Sequence, residues 1–200
     1  MARPSGPPRA WQRMLSGRRL DLLNPSPLDV ELDDIAHGLA RVARWNGQTR
    51  GESIFSVAQH SLLVEAIAAH LQPDLRPADR LSVLLHDAPE YVIGDMISPF
   101  KAVIGDAYKQ IEAGLLGAIR LRFGLSAVPA APLTKVTKRA DQVAAFHEAI
   151  NLAGFSRQEA AKFFGRPELL PAQAEAILQP WPVDDAQRRF AARVEALCEG

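Results

Sequence analysis

Cysteine is almost missing: Cys198, two residues from the end, is the only one among 200 residues. An intrachain disulfide and a cysteine-based zinc cage are thereby excluded, and the usage fits a reducing compartment. Neither sign of charge is in excess, with 23 basic residues against 23 acidic ones. No global field draws such a chain to nucleic acid or to anionic lipid, so any anion it binds must be held locally. No apolar run reaches about 18 residues, the length a membrane-spanning helix needs. The basic, proline-rich start, Met1 to Arg19, has no apolar stretch of the secretory kind, and a cytoplasmic setting is the expectation. Alternating strand patterns of useful length and internal repeats are absent too.

What is present is apolar and helical in period. Hydrophobic side chains make up 48% of the chain, enough for one domain with a substantial core. Residues 1–20, with "PSGPPRA" at Pro4 to Ala10, are expected to be a flexible or loosely docked lead-in to a single domain over 21–200. In "SVAQHSLLVEAIAAHL", Ser56 followed three residues later by Gln59 reads as a capping box, and Val57, Val64, Ile67, Ala68 and Leu71 form an apolar stripe. His60 lies on that stripe. The next helix opens at "RPAD", with Pro77 and Asp79 suited to its first turn, and is expected to run to about Gly94. After the turn-rich "GDMISPF", Gly94 to Phe100, further helices are expected over 107–123, over about 135–153, after Ser156 and after "DDAQ". The fold class predicted is all-α, helix packed on helix.

One stretch does not sit comfortably in a helix. "LLHDAPEY", Leu84 to Tyr91, places His86, Asp87 and Glu90 on a helix whose leucines face the core, and adds Pro89. In a regular helix His86 and Glu90, four apart, share a face, with Asp87 adjacent. An interior proline removes a hydrogen bond and clashes with the preceding turn, at about 3 kcal/mol. Local rules broken together are the mark of a functional site. A lone His-Asp pair is ordinarily no more than a satisfied polar pair. Here, however, His60 sits on an apolar stripe and Asp141 beside Ala140, Val143 and Ala144, each an expensive position without a partner or a metal. Two imidazoles and two carboxylates from three helices suit a hard-to-borderline divalent ion, with positions left open for water and substrate.

The ordered set "RWNGQTRGESIFSVAQHSLLV", "LLHDAPEYVIGDMISPFK" and "TKRAD" resembles the HD-domain metal-dependent phosphohydrolases, and within them the bacterial HD-domain 5′-deoxynucleotidases and their relatives. The match runs through roughly residues 33 to 150. By resemblance the fold is an HD-type helical bundle with a divalent metal site between helices. His60, His86, Asp87 and Asp141 match the metal ligands, for one ion that could be Mn, Co, Fe, Zn, Ni or Mg. Glu90 matches the acid-base carboxylate and Asp95 a residue of catalysis and sugar binding. Arg44 and Trp45 match a pair that holds phosphate and packs on sugar or base, and Lys138 matches a phosphate contact.

Each of the outer positions has a plainer alternative: core for Trp45, a surface cation for Arg44, a turn for Asp95 and a solvated basic run for Lys138. His37, His70 and His147 match no motif and read as structural. Between the Arg-Trp pair and His60 the stretch "NGQTRGESIFSVAQ" is closer to a sister group of hydrolases carrying "NGxT" there.

The activity implied is metal-dependent hydrolysis of a phosphomonoester, with a (deoxy)nucleoside 5′-monophosphate the first substrate to expect. Two alternatives stand beside it. One is another nucleotide phosphoester on the same site: an alarmone, a cyclic nucleotide or a triphosphate. The other is a non-enzymatic metal-containing ligand-binding domain, since fold does not dictate function. The expected partner is a small nucleotide, with neither nucleic acid nor membrane. Relatives are often homodimers, so an apolar helical face is a candidate interface.

Overall fold

The computed structural model describes residues 9–96, 103–167 and 169–200. The fold is all-α, and among the described residues the one sheet is a small antiparallel hairpin.

That hairpin lies within the expected lead-in. β1 (Trp11–Arg13) pairs with β2 (Arg19–Asp21) in the register Trp11↔Asp21, Gln12↔Leu20 and Arg13↔Arg19. It is docked from Trp11 onward, for two physical reasons. Leu20 is completely buried in the core, and Ser16 at the reversal gives both its amide and its hydroxyl to the Asp34 carboxylate, at 3.0 and 2.5 Å. Residues 1–8 of the lead-in, and "GDMISPF" beyond Met96, lie outside the described residues.

α1 (Leu32–Arg41) buries Ile35, Ala36, Leu39 and Ala40 along one face. The chain then runs extended beside the start of the next helix. Arg44 N donates to Phe55 O at 2.8 Å and Val57 N to Val42 O at 2.9 Å, so Arg44 and Trp45 are delivered to that helix's N-terminal end. α2 (Val57–Leu71) is buried from Val57 through Glu65, so the apolar stripe is only one side of a helix enclosed nearly all round. Its Ser56 cap accepts from Gln59 N, but the reciprocal half of the capping box is not made. The Gln59 side chain instead donates to Ile177 O and Gln179 O and accepts from Trp181 N, tying a distant loop to α2.

The helix expected from Pro77 to Gly94 is two helices. α3 (Pro77–Leu84) ends just before His86, and α4 (Glu90–Ile93) begins just after Pro89. Pro89 explains the break, because it has no N–H to give to Leu85 and its ring would meet that carbonyl. The intervening turn winds tightly: Ala88 N bonds Leu85 O, Glu90 N bonds Asp87 O and Tyr91 N bonds Ala88 O, all i to i−3. The regular helix that would carry His86 and Glu90 together is thus interrupted between them. Close approach of α1 to α4 depends on Gly38, where a Cβ would come within 2.8 Å of Tyr91 Cβ and of its carbonyl oxygen.

α5 (Asp106–Arg122) stops before Gly124, which takes φ +71. α6 (Ala131–Asn151) opens four residues earlier than expected, because Pro132 falls in its first turn, where a missing N–H costs nothing. α7 (Arg157–Phe164) carries the complete capping box of Ser156 and Glu159. Short α8 (Ala172–Glu175) precedes α9 (Val183–Glu199), which also starts early, with Asp184 and Asp185 in its first turn.

Three apolar clusters follow from this arrangement. α1, α3, α5 and α9 close over the first part of α2 through Ile35, Leu39, Leu84, Ile119 and Phe190. On its other side, Leu63, Val64 and Ile67 of α2 pack with Ala140, Val143 and Ala144 of α6. Phe146 and Ala149 of α6 join Ala160 of α7, with Trp45, Phe155 and Phe164 partly buried against them. Among the described residues no helix is long and apolar enough to cross a membrane.

Candidate metal centre

The α2–α6 contact brings His60 and Asp141 face to face, and the turn after α3 brings His86 and Asp87 to the same place. The four residues therefore come from two helices and a turn, rather than from three helices. His60 Nε2 lies 3.3 Å from Asp141 Oδ1 and 3.5 Å from Asp87 Oδ2, and His86 Nε2 lies 3.3 Å from Asp87 Oδ2. The ligating atoms of His60, His86 and Asp141 all fall within 4.8 Å of one another.

Both imidazoles are oriented from behind. His60 Nδ1 is 2.5 Å from Glu148 Oε1; an ionised carboxylate can only accept, so Nδ1 carries the proton and donates it. His86 Nδ1 likewise donates to Val83 O at 2.9 Å. Each Nε2 is thus the ring atom turned toward the Asp87 and Asp141 carboxylates, buried and without a well-formed hydrogen bond. Fixing Nδ1–H against an acceptor is how proteins present Nε2 to a metal.

The spacing fits the same reading. Two ligands each about 2.1 Å from an ion, at angles near 90–110°, stand about 3.0–3.4 Å apart. The three separations of 3.3–3.5 Å, His60 with Asp141, His60 with Asp87 and His86 with Asp87, fall at that spacing. A divalent ion of the first transition row fits this set of two imidazole nitrogens and two carboxylates.

The local field favours positive charge at that centre. Burial and Arg44 oppose a charged His60, yet Glu148, Asp141 and Asp87 together hold its pKa well above the ordinary value. The field that would keep a proton on Nε2 would equally hold a cation there. Burial pushes the Asp87 carboxyl up, but His86 and His60 outweigh it and leave Asp87 well below the usual range. Asp141 is lowered likewise, burial being overcome chiefly by His60. Glu148, wholly buried, is brought down to about 2 by His60 and Arg44 against the same desolvation.

A second layer stands behind the cluster. Trp45 Nε1 donates to Glu148 Oε2 at 2.9 Å, and Arg44 Nε faces the same oxygen at 3.5 Å. Arg44 Nη1 donates to Asp95 Oδ2 at 3.0 Å. Although desolvation opposes it, the Glu148 and Asp95 carboxylates raise the Arg44 pKa further, so the guanidinium is permanently charged. Asp95 is thus an arginine partner across the fold. Trp45 is half-buried against Phe155 and Phe164, with ring centroids 5.6 and 5.9 Å away, and takes φ +57, followed by Asn46 at +51. Two non-glycine residues in the left-handed region are a local strain of the kind that collects at functional sites.

Glu90 is 2% exposed and opens α4. Lys138 is exposed, three residues before Asp141 on α6. Of the histidines read as structural, His147 is buried and sits edge-on to Phe146. Sequence reasoning missed Glu148. Its signal was its position seven residues after Asp141, two helical turns along the same face of α6.

No family model matches the chain. The uncharacterized protein RCAP_rcc00048 of Rhodobacter capsulatus is 54% identical over 190 residues, which cover 94% of this chain and 96% of that protein. With that identity sustained along almost the whole of both chains, this protein belongs to the same family as RCAP_rcc00048.

Proposed function

We propose that the protein is a cation-dependent phosphohydrolase of the HD-domain kind, acting on a phosphomonoester such as a (deoxy)nucleoside 5′-monophosphate. One observation carries the reading: two buried imidazoles, each held at Nδ1 from behind, turn Nε2 toward the Asp141 and Asp87 carboxylates. His60, His86, Asp87 and Asp141 would hold a divalent cation. When bound, it supplies Lewis acidity toward a phosphoryl oxygen and a nucleophile at neutral pH.

The chain's own residues do the rest. Arg44, anchored by Asp95 and Glu148, has five N–H donors, more than those two contacts use, and neutralises the non-bridging oxygens of a phosphoryl group. Lys138, on the exposed side of α6, adds a second cation for the same charge. Glu90 handles the proton, taking it from the attacking water or giving it to the leaving oxygen. Trp45 offers an apolar surface to the leaving nucleoside. A cytoplasmic setting suits such a substrate.

The test is a phosphate-release assay over 5′-nucleoside and 5′-deoxynucleoside monophosphates with Mn²⁺ or Co²⁺. Asp87→Ala and Glu90→Ala are expected to lose about 10³-fold or more relative to wild type. Equal rates in all three proteins would reject the reading.

A further inference from the structure

Glu148 is the residue that no motif singles out and that the site nevertheless converges on. It is wholly buried, and its two oxygens face in two directions. Oε1 accepts from His60 Nδ1 at 2.5 Å, while Oε2 accepts from Trp45 Nε1 at 2.9 Å and faces Arg44 Nε at 3.5 Å. Resting on the cation-site reading above, we propose that Glu148 is a positioning residue that makes the cation site and the Arg44–Trp45 corner a single unit. Through Oε1 it holds His60 in the ligating tautomer, and through Oε2 it holds the two residues that would meet the substrate.

The chemistry of the donors shows why a carboxylate is required. His60 Nδ1–H and Trp45 Nε1–H are both donors, so the group between them must accept on both sides. A glutamine of the same shape accepts on one side only. With its oxygen toward His60, its NH₂ confronts the indole N–H and the guanidinium. Turned round, its NH₂ confronts Nδ1, which must then become the acceptor, and the imidazole proton moves to Nε2, the atom a cation needs. Glu148→Gln must therefore damage one half of the site or the other, and Trp45→Phe, by removing the nearer of the two opposing donors (2.9 Å against 3.5 Å for Arg44 Nε), should ease the return of the amide oxygen to His60.

The linkage also runs outward. A cation on His60 Nε2 makes Nδ1–H a stronger donor, draws the carboxylate charge toward Oε1 and loosens the Oε2 bond to the indole. Loading should therefore be visible in the emission of Trp45, one of three tryptophans in the chain.

The experiment titrates the chelator-treated full-length protein with Zn²⁺ alone, by calorimetry and by tryptophan emission, with far-ultraviolet circular dichroism as the folding control. Four proteins are compared: wild type, Glu148→Gln, Trp45→Phe and the double variant. Glu148→Gln is expected to bind Zn²⁺ about 10–100-fold more weakly, as outer partners of metal ligands do. Trp45→Phe should bind within about threefold of wild type, and the double variant should recover about half or more of the logarithmic loss. Zinc should change the wild-type emission and leave that of Trp45→Phe unchanged.

Glu148→Gln binding as tightly as wild type would overturn the proposal, as would a double variant no tighter than Glu148→Gln alone. If Glu148→Gln does not fold, the emission comparison decides: a zinc response that persists undiminished in Trp45→Phe rejects the coupling. A wild-type protein that binds no zinc by calorimetry identifies the cation-site reading as the failure and removes this proposal with it.

Discussion

Two buried polar residues on α2, Glu65 and His60, show how differently one helix can meet groups of opposite charge. Glu65 on α2 lies between Arg80 of α3 and Arg193 of α9, with Oε1 2.5 Å from Arg80 Nε and 2.8 Å from Arg193 Nη2, and Oε2 3.3 Å from Arg193 Nε. Every oxygen is matched by a guanidinium, and the network closes on itself. Five residues earlier on the same helix, His60 also meets carboxylates, but there the accounting stays open. Its Nε2, and that of His86, are buried 3.3–3.5 Å from carboxylate oxygens without a well-formed hydrogen bond. A closed network clamps three helices together. An open one leaves buried atoms only partly offset by the protein, and that is the physical signature of a place kept for something else.

The largest expected separation between the two regions is their response to a divalent cation. A ligand at about 100 times its Kd stabilises the native state by about 2.7 kcal/mol. For a chain of this size that raises the melting temperature by roughly 5–11 °C. Thermal melts with Zn²⁺ and with excess chelator should show this difference in wild type and in Glu65→Ala alike, and no difference in Asp87→Ala. A cation response that disappears in Glu65→Ala, or survives in Asp87→Ala, would break the distinction between closed and open networks.

The next effect runs the other way. Removing the Glu65 carboxylate leaves two arginines facing each other, a change that costs about 3–5 kcal/mol where the partners are fully buried. Arg80 and Arg193 are about a third exposed and can turn to water, which lowers the expected cost to about 2 kcal/mol. Chemical denaturation of chelator-treated Glu65→Ala measures it. Zinc affinity in the same variant should stay within about threefold of wild type, since Glu65 shares no partner with His60.

How much of this was legible in the chain differs by residue, and the reasons are physical. His60 could be found because a polar group on an apolar stripe is costly wherever the helix packs, and Asp141 because it stands beside such a stripe. His86 and Asp87 could be found because they are adjacent in sequence and followed by a misplaced proline. The break at Pro89 was half visible: the missing donor is a local fact, but whether a helix bends or stops there depends on what the neighbouring elements accept. Gln59 shows the limit of a capping rule. Its backbone receives the Ser56 cap as expected, while its side chain is taken by Ile177, Gln179 and Trp181, more than a hundred residues away. Glu148 was hidden for the same reason. A glutamate on a long helix is normally a solvated residue, and only the packing of α6 on α2 turns it inward.

The smallest effect separates Glu148 from the rest of the acid response. Its pKa is about 2 in the folded chain against an ordinary value of 4.5. A carboxylate lowered in this way adds stability that is fully present above 4.5 and fades as the pH falls toward 2. The slope cannot exceed one proton, so the loss is about 1 kcal/mol per pH unit in that window. His60 does not blur it: its pKa is raised, so its contribution is complete below 6.5 and is lost only on the alkaline side. Asp87 and Asp141, both lowered, do titrate in the acid window, which makes the difference between two proteins the quantity to measure. In chelator-treated protein the stability gap between wild type and Glu148→Gln should narrow by about 1 kcal/mol from about pH 4.5 to about pH 3.5. A gap that stays constant over that range would mean that Glu148 is not held ionised by His60 and Arg44, and the contrast with the closed Glu65 network would lose its electrostatic half.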